Sequence, residues 1–311
     1  MTDILSITAP IYILISLGYL SARLGFVAPL QLRGMGFFVL NFALPSLLFQ
    51  ALSSQPFADI LNPKYLLGYG GGSLLVFTGG LLVAKWRGQT LTASAINGLG
   101  MTMSNSGFVG YPLMVTIIGD SAAIFMAQNM LIENILILPL FLIIAESAGK
   151  RGKPLGETVR GILVGLVKNP MILAIVAGMA FSLSGTAVPT VLGKTTSMLA
   201  AASAPIALFV IGGRLMGLKL AGSTPDIIQI TLGKLLFHPL IVIGLLSLLG
   251  AKSHTLFAAA MFASVPMASV YPLIGQAYGH ERRTAAAVLV VTIISFFTTS
   301  AILLIQPHMG W

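Results

Sequence analysis

Cysteine is missing from all 311 residues, which excludes disulfides, thiolate metal sites and a cysteine nucleophile. Charged residues make up only 8% of the chain, and just eight residues are acidic. The four histidines are scattered without metal-ligand spacing, there is no Ser–His–Asp signal, and no phosphate loop follows a strand. Gly68-Tyr69-Gly70-Gly71-Gly72 imitates a nucleotide loop, but it lies inside an apolar run with no strand before it. It reads instead as close helix packing through small residues. No metal, no cofactor and no enzymatic activity are therefore expected. A nucleic-acid partner is not expected either, because the net charge of +9 sits in short loops rather than on a solvated basic face.

What the chain has in abundance is apolar sequence. Hydrophobic residues make up 56% of it and the mean hydropathy is +0.96, too apolar for a water-soluble fold. The sequence is that of an all-α polytopic membrane protein. The first apolar segment follows Asp3, with no basic flank and no small-residue cleavage site, so a retained span is expected rather than a secretory signal. Ten apolar runs follow one another, at about 4–22, 34–53, 65–84, 91–118, 121–146, 169–184, 189–216, 227–249, 255–278 and 284–306.

Lysine and arginine orient these spans. Arg23, Arg33, Lys85, Arg87, Lys150, Arg151, Lys153, Arg160, Arg214, Lys219, Arg282 and Arg283 fall in loops on one side, against Lys64, Lys194 and Lys252 on the other. That asymmetry puts the first set in the cytoplasm and both termini on the non-cytoplasmic side. Lys168 and Lys234, at the starts of spans six and eight, are expected to reach the same cytoplasmic surface.

An offset of 160 residues links two halves. It carries Tyr111-Pro112-Leu113 onto Tyr271-Pro272-Leu273, Gly119 onto Gly279, Pro10 onto Pro170, Gly18 onto Gly178, and Pro45 with Phe49 onto Pro205 with Phe209. The expected domains are a first five-helix repeat at 1–148, a basic cytoplasmic connection at 149–168 and a second repeat at 169–311. Five spans per repeat is an odd number, so the second copy enters the membrane inverted.

The chain is organised around Asn105-Ser106-Gly107-Phe108-Val109-Gly110-Tyr111-Pro112-Leu113 in span four. Pro112, Gly107 and Gly110 predict a broken helix, and Asn105 and Ser106 place polar groups at about mid-membrane. Span nine is the partner break, with Ser264, Pro266, Ser269, Tyr271 and Pro272. Paired breaks of this kind hold substrates in inverted-repeat transporters, where the two spans cross. Asn105 and Ser106 can donate to a carboxylate, aided by the N-terminal end of the following half-helix, or Asn105 can simply tie the broken backbone together. Ser269 and Tyr271 can bind substrate or bond locally, and Asn41 can face a cavity or cap a kink at Pro45, the kink being favoured. Glu133, flanked by Gln128, Asn129 and Asn134, is the only acidic residue near the middle of a span. It is the proton-coupling candidate, or else a protonated group bonded between helices or facing a vestibule.

With these strings in view, the chain resembles the auxin efflux carrier family, especially bacterial members described as malonate transporters. Phe42-Ala43-Leu44-Pro45, Lys168-Asn169-Pro170, Phe209-Val210-Ile211-Gly212-Gly213 and Tyr278-Gly279 carry the likeness along nearly the whole chain. The resemblance implies the fold of bile-acid/sodium symporters, with spans four and nine crossing. It also implies a scaffold from spans one, two, six and seven that supports a homodimer, and a core from spans three to five and eight to ten that moves like an elevator. In plant relatives a carboxylate lies near the asparagine matching Asn105 and near polar residues of span five, where Gln128 and Asn129 fall. The long cytoplasmic insert of many plant carriers is lacking, so control through such a loop is not expected.

The expected function is secondary transport of a small organic anion, a mono- or dicarboxylate, across the bacterial inner membrane, in the direction of efflux. The residues expected at its site are Asn41, Asn105, Ser106, Gly107, Gly110, Tyr111, Pro112, Gln128, Asn129, Ser269, Tyr271 and Pro272, with proton coupling through Glu133. The rival readings are a sodium-coupled symporter of bile-acid type and a membrane sensor that binds an organic acid without moving it.

Overall fold

The computed structural model describes residues 2–55, 60–147, 155–216, 224–268 and 270–306. Every regular element among them is helical, and the one sheet-like feature is an antiparallel bridge between Ser104 and Met267. In chain order the helices are α1 (Thr2–Arg23), α2 (Pro29–Ser53), α3 (Pro63–Trp86), α4 (Leu91–Thr102), α5 (Ser106–Ile118), α6 (Ser121–Ser147) and α7 (Leu155–Lys168). Then come α8 (Pro170–Ser184), α9 (Thr190–Ala201), α10 (Ser203–Leu215), α11 (Thr224–Leu248), α12 (Ser253–Ser264), α13 (Tyr271–Ala277) and α14 (Glu281–Ile305). Among the described residues, six segments are long and apolar enough to cross a membrane: α2, α3, α6, α11, α14 and the run Thr190–Arg214. The pair Gly156–Lys168 and Pro170–Ser184, bent by 62°, makes a seventh if taken as one span. The protein is a polytopic membrane protein.

The sequence reading places a basic connection before span six. Its first residues lie outside those described, but from Leu155 onward it is the helix α7. Asn169 then caps α8, its Oδ1 accepting from the Met171 and Ile172 amides. In span four the extended residues are Met103–Asn105, earlier than the glycines suggest, and Gly107 and Gly110 belong to a π turn that opens α5.

Four prolines explain four π turns. Proline lacks a backbone donor and its ring crowds the carbonyl four residues earlier, so the helix relieves it by widening one turn. The widened turns are Val39–Ala43, Ser106–Gly110, Glu133–Ile137 and Gly233–Phe237. Their central residues are Asn41, Phe108, Ile135 and Leu235, each four positions before a proline: Pro45, Pro112, Pro139 and Pro239. Asn41 takes part directly, its Nδ2 donating to the Phe37 carbonyl at 2.8 Å, as a residue capping the kink would. Pro10, inside α1, is tolerated without such a turn.

The chain divides into two compact units: Met1–Asn62, Ser106–Gln128 and Val167–Leu218 form the first, and Pro63–Asn105, Asn129–Leu166 and Lys219–Trp311 the second. In the first unit α1 packs on α10, and α8 packs on α2, through glycines that admit no side chain. A Cβ on Gly18 would collide with the Phe209 carbonyl, and one on Gly178 would stand 3.0 Å from the Phe49 carbonyl. These are the same two contacts with their partners exchanged across the 160-residue offset. In the second unit α4 and α12 form the centre. Every residue from Ala93 to Thr102 is buried, as is nearly all of Thr255 to Ser264, which is the state expected of helices apolar on all sides. Gly68 and Gly72 of α3 lie against Leu246 and Val242 of α11, so the glycine run serves helix packing.

Gly18→Ala and Gly178→Ala should each destabilise the protein by about 1–3 kcal/mol, because each forces a methyl group into backbone. Gly34→Ala, where a Cβ meets nothing within 4 Å, should be neutral or stabilising by up to about 1 kcal/mol. Thermal unfolding in detergent checks this, and equal melting of all three variants would refute the close approach.

Candidate functional site

Within the second unit the two interrupted spans meet backbone to backbone. The extended residues after α4 and after α12 run antiparallel, with the bridge Ser104–Met267 and the Asn105 amide donating to the Pro266 carbonyl at 2.8 Å. Amide groups freed from a helix cannot be left bare in hydrocarbon, and here each break supplies partners for the other. Tyr271 adds a tie: it is fully buried and its hydroxyl donates to the Ile96 carbonyl of α4 at 3.1 Å. Pro272 sits in the first turn of α13, where a missing donor costs little. Ser269 lies outside the described residues.

Ser104 is the hub of a buried polar chain. Its amide donates to Glu133 Oε1 at 2.8 Å, and its hydroxyl accepts from Lys234 Nζ at 2.6 Å and lies 3.3 Å from the Tyr69 hydroxyl. Lys234 Nζ is also 3.2 Å from His238 Nδ1, and His238 Nε2 is 2.9 Å from Ser73 Oγ. The Tyr65 hydroxyl, stacked beside Tyr69, donates to Asn129 Oδ1 at 2.9 Å. Glu133 is the first residue of one proline-induced π turn and Lys234 the second of another. Lys234 is a correction to the sequence reading: it is wholly buried, bonded to Ser104 and His238, and does not reach the surface. Its position near a span end hid this, because a lysine there can extend either way. The one available signal was the His238-Pro239 pair a turn later.

In the first unit the expected site residues Ser106, Gly107, Gly110, Tyr111 and Pro112 lie together on α5, and Gln128 ends the unit's share of α6. The Ser106 hydroxyl and Gln128 Oε1 are buried without a hydrogen-bond partner, and in the second unit so is Asn129 Nδ2. Buried polar atoms are rarely left so: Asn129 Nδ2 can donate to a ligand, Gln128 Oε1 can accept from one, and the Ser106 hydroxyl can do either. Asn105 is 8% exposed. Tyr111 lines a cavity of about 280 Å³ with Gln50, Ser54, Gln55 and Asp120. The Arg214 guanidinium, assigned from sequence to a loop, belongs to α10 and stands 5.9 Å over the Phe108 ring.

A second polar cluster, unanticipated from sequence, lies at the basic end of the second unit. Asp226, fully buried, pairs with Arg87 and Arg283 at 3.1 Å each and accepts from Asn97 and Gln89. Arg283 also reaches Asn97 Oδ1 and Gln89 Oε1. Beside it, burial and then the positive charge of Arg283 hold the His280 imidazole below its usual pKa, with Asp226 opposing. The cluster ties α11, α14 and the turn before α4 together.

A membrane transport protein family model matches residues 3–304. The chain belongs to that family. It is the auxin efflux carrier family that the sequence strings resemble. The relatives of this family member include a proposed malonate transporter of Rhizobium meliloti (strain 1021), 29% identical over 97% of this chain and 96% of the relative. The uncharacterized transporter YfdV of Escherichia coli (strain K12) is 26% identical over 94% and 93%. Auxin efflux carrier component 8 of Arabidopsis thaliana is 31% identical over 49% of this chain and 43% of its own length. As a member of a transporter family the chain is a membrane transporter and not an enzyme.

Asp226→Asn should lower stability by about 3 kcal/mol, because it leaves two guanidinium groups facing a neutral amide in a buried place. Arg87→Gln, whose side chain is already 25% exposed, should cost less. The melting temperatures of the two variants test that order, and a reversed order would remove Asp226 from the centre of the cluster.

Proposed function

We propose that this family member is a secondary transporter of a small organic anion, a mono- or dicarboxylate such as malonate, working by alternating access in the inner membrane of a bacterium. The observation that carries the reading is the pairing of two unwound spans in the second unit, with Ser104 held between the Glu133 carboxyl and the Lys234 amine. Irregular backbone at membrane depth persists only where it is buried in protein or lines a cavity, and an ionisable group buried in a span points to function. Asn105, Ser106, Gln128 and Asn129 are the proposed ligands of the substrate carboxylate. The Ser106 hydroxyl and Asn129 Nδ2 are each a buried donor without a partner, of the kind a carboxylate accepts from, which supports the assignment of those two. The name of the Rhizobium meliloti relative supports malonate as the first compound to try.

The finer architecture of the proposal is ten spans in two inverted repeats, both termini outside, a homodimer, and an elevator-like core made of spans three to five and eight to ten. The exchanged contacts Gly18–Phe209 and Gly178–Phe49, and the left-handed glycines Gly119 and Gly279 that close the two short half-helices, support the repeat. The division of the chain supports the core in part: α3, α4 and α11 to α14 fall in one unit and α1, α2 and α8 to α10 in the other, but α5 and the start of α6 as far as Gln128 go with the latter. Glu133 is the proposed proton carrier and Lys234 the group that makes its ionisation tolerable in the membrane. A lone charge there is costly, and a cation on the same serine offsets it.

Purified protein in liposomes should drive labelled malonate exchange, and Asn105→Ala should reduce it at least about tenfold, a loss of some 1.4 kcal/mol or more in substrate recognition. Binding of malonate without exchange would overturn transport in favour of a sensor. Glu133→Gln should retain exchange yet lose acceleration by a pH gradient. If the gradient drives the variant as well as the native protein, Glu133 is not the carrier, and a sodium requirement would replace protons altogether.

A further inference from the structure

We propose that a groove on the second unit holds one acyl chain of an anionic phospholipid, with the lipid phosphate on Arg87. The groove has a volume of about 610 Å³, runs between α3 and α11, and is floored by Met101 of α4. Its lips are apolar and open: Leu75, Val83, Ile228, Leu232 and Phe237 are each 47–57% exposed. On spans of this length and hydropathy, exposed apolar side chains face lipid. Gly79 gives the groove its depth, because a Cβ there would meet nothing within 4 Å. At the next residue the two walls are stitched together, Gln229 Nε2 donating to the Gly80 carbonyl.

One end of this apolar channel is cationic. Arg87 is 25% exposed, and its bonds to Asp226, Gln229 and the Pro225 carbonyl all use Nη1. Asp226 is shared with Arg283, so two guanidinium groups meet one carboxylate and the cluster keeps a positive charge; Lys85 adds another at the same end of α3. An apolar slot ending in a cation matches an anionic amphiphile. The length agrees: from Leu75 to Arg87 the helix rises about 18 Å, close to the half-thickness of a hydrocarbon core of roughly 30 Å. A lipid of one leaflet therefore fits with its phosphate at Arg87 and its chain past Gly79, whereas a peptide partner would leave the guanidinium facing nothing acidic of defined place.

The test is native mass spectrometry of the full chain, stripped of lipid in detergent and titrated with dioleoyl phosphatidylglycerol or dioleoyl phosphatidylcholine. One phosphatidylglycerol should be retained per chain, at least about tenfold more strongly than phosphatidylcholine. Gly79→Trp, at a position where a Cβ meets nothing within 4 Å, puts an indole in the groove and should abolish retention, as should Ile228→Trp on the opposite lip. Gly34→Trp, equally open but in the first unit, should not. Retention by either groove variant overturns the site, and equal retention of phosphatidylcholine overturns the role of Arg87.

Discussion

Every backbone N–H and C=O in a bilayer must find a partner inside the protein, and the meeting of residues 103–105 with residues 265–267 is where that constraint is hardest to meet. A single broken span would leave its freed groups bare. Two broken spans placed antiparallel satisfy each other, through the Ser104–Met267 bridge and the bond from the Asn105 amide to the Pro266 carbonyl. Much of the second unit follows from holding these few residues in register. It explains why α4 and α12 are buried on all sides, why Tyr271 reaches back to the Ile96 carbonyl, and why Gly100, against the Tyr271 ring, can carry no side chain.

The prolines extend the same constraint along the helices. A π turn inserts one residue, and one residue is about 100° of helix rotation, so side chains on either side of it change their relative direction. Glu133 and Lys234 both occupy such turns, each upstream of the proline that causes it. Their convergence on Ser104 is thus a product of Pro139 and Pro239, whose rings carry no polar group. Replacing those prolines would act on the polar chain through helix geometry rather than through any lost contact.

The membrane class and the paired breaks were legible because each rests on residue type at a given place: apolar runs, and Tyr111-Pro112 with Tyr271-Pro272. The helical state of the connection before Asn169 was not, since a short amphipathic helix and a basic loop share a composition. Nor was Lys234. Whether a lysine near a span end turns inward depends on what lies opposite, and Ser104 and His238 become its neighbours only after α4 and α11 pack. Asp226 was hidden for the same reason: one residue outside an apolar run, it reads as solvated until Arg87 and Arg283 close over it. Sequence reports a residue's own chemistry well and its partners poorly.

Those partners separate the polar groups into two kinds. Asp226 and Lys234 are tied by several bonds each, which makes them parts of a rigid body. Ser106 and Asn129 keep a buried donor without a bond, and Gln128 a buried acceptor, at positions where an amide or hydroxyl is cheap to desolvate compared with a charge. For a protein that must release what it binds, that division is the useful one. A carboxylate seated on Lys234 or an arginine would gain strong charge-assisted bonds and leave slowly. Recognition by neutral donors under the proposed function gives an affinity weak enough for turnover, while the charged residues hold the frame in which those donors are presented.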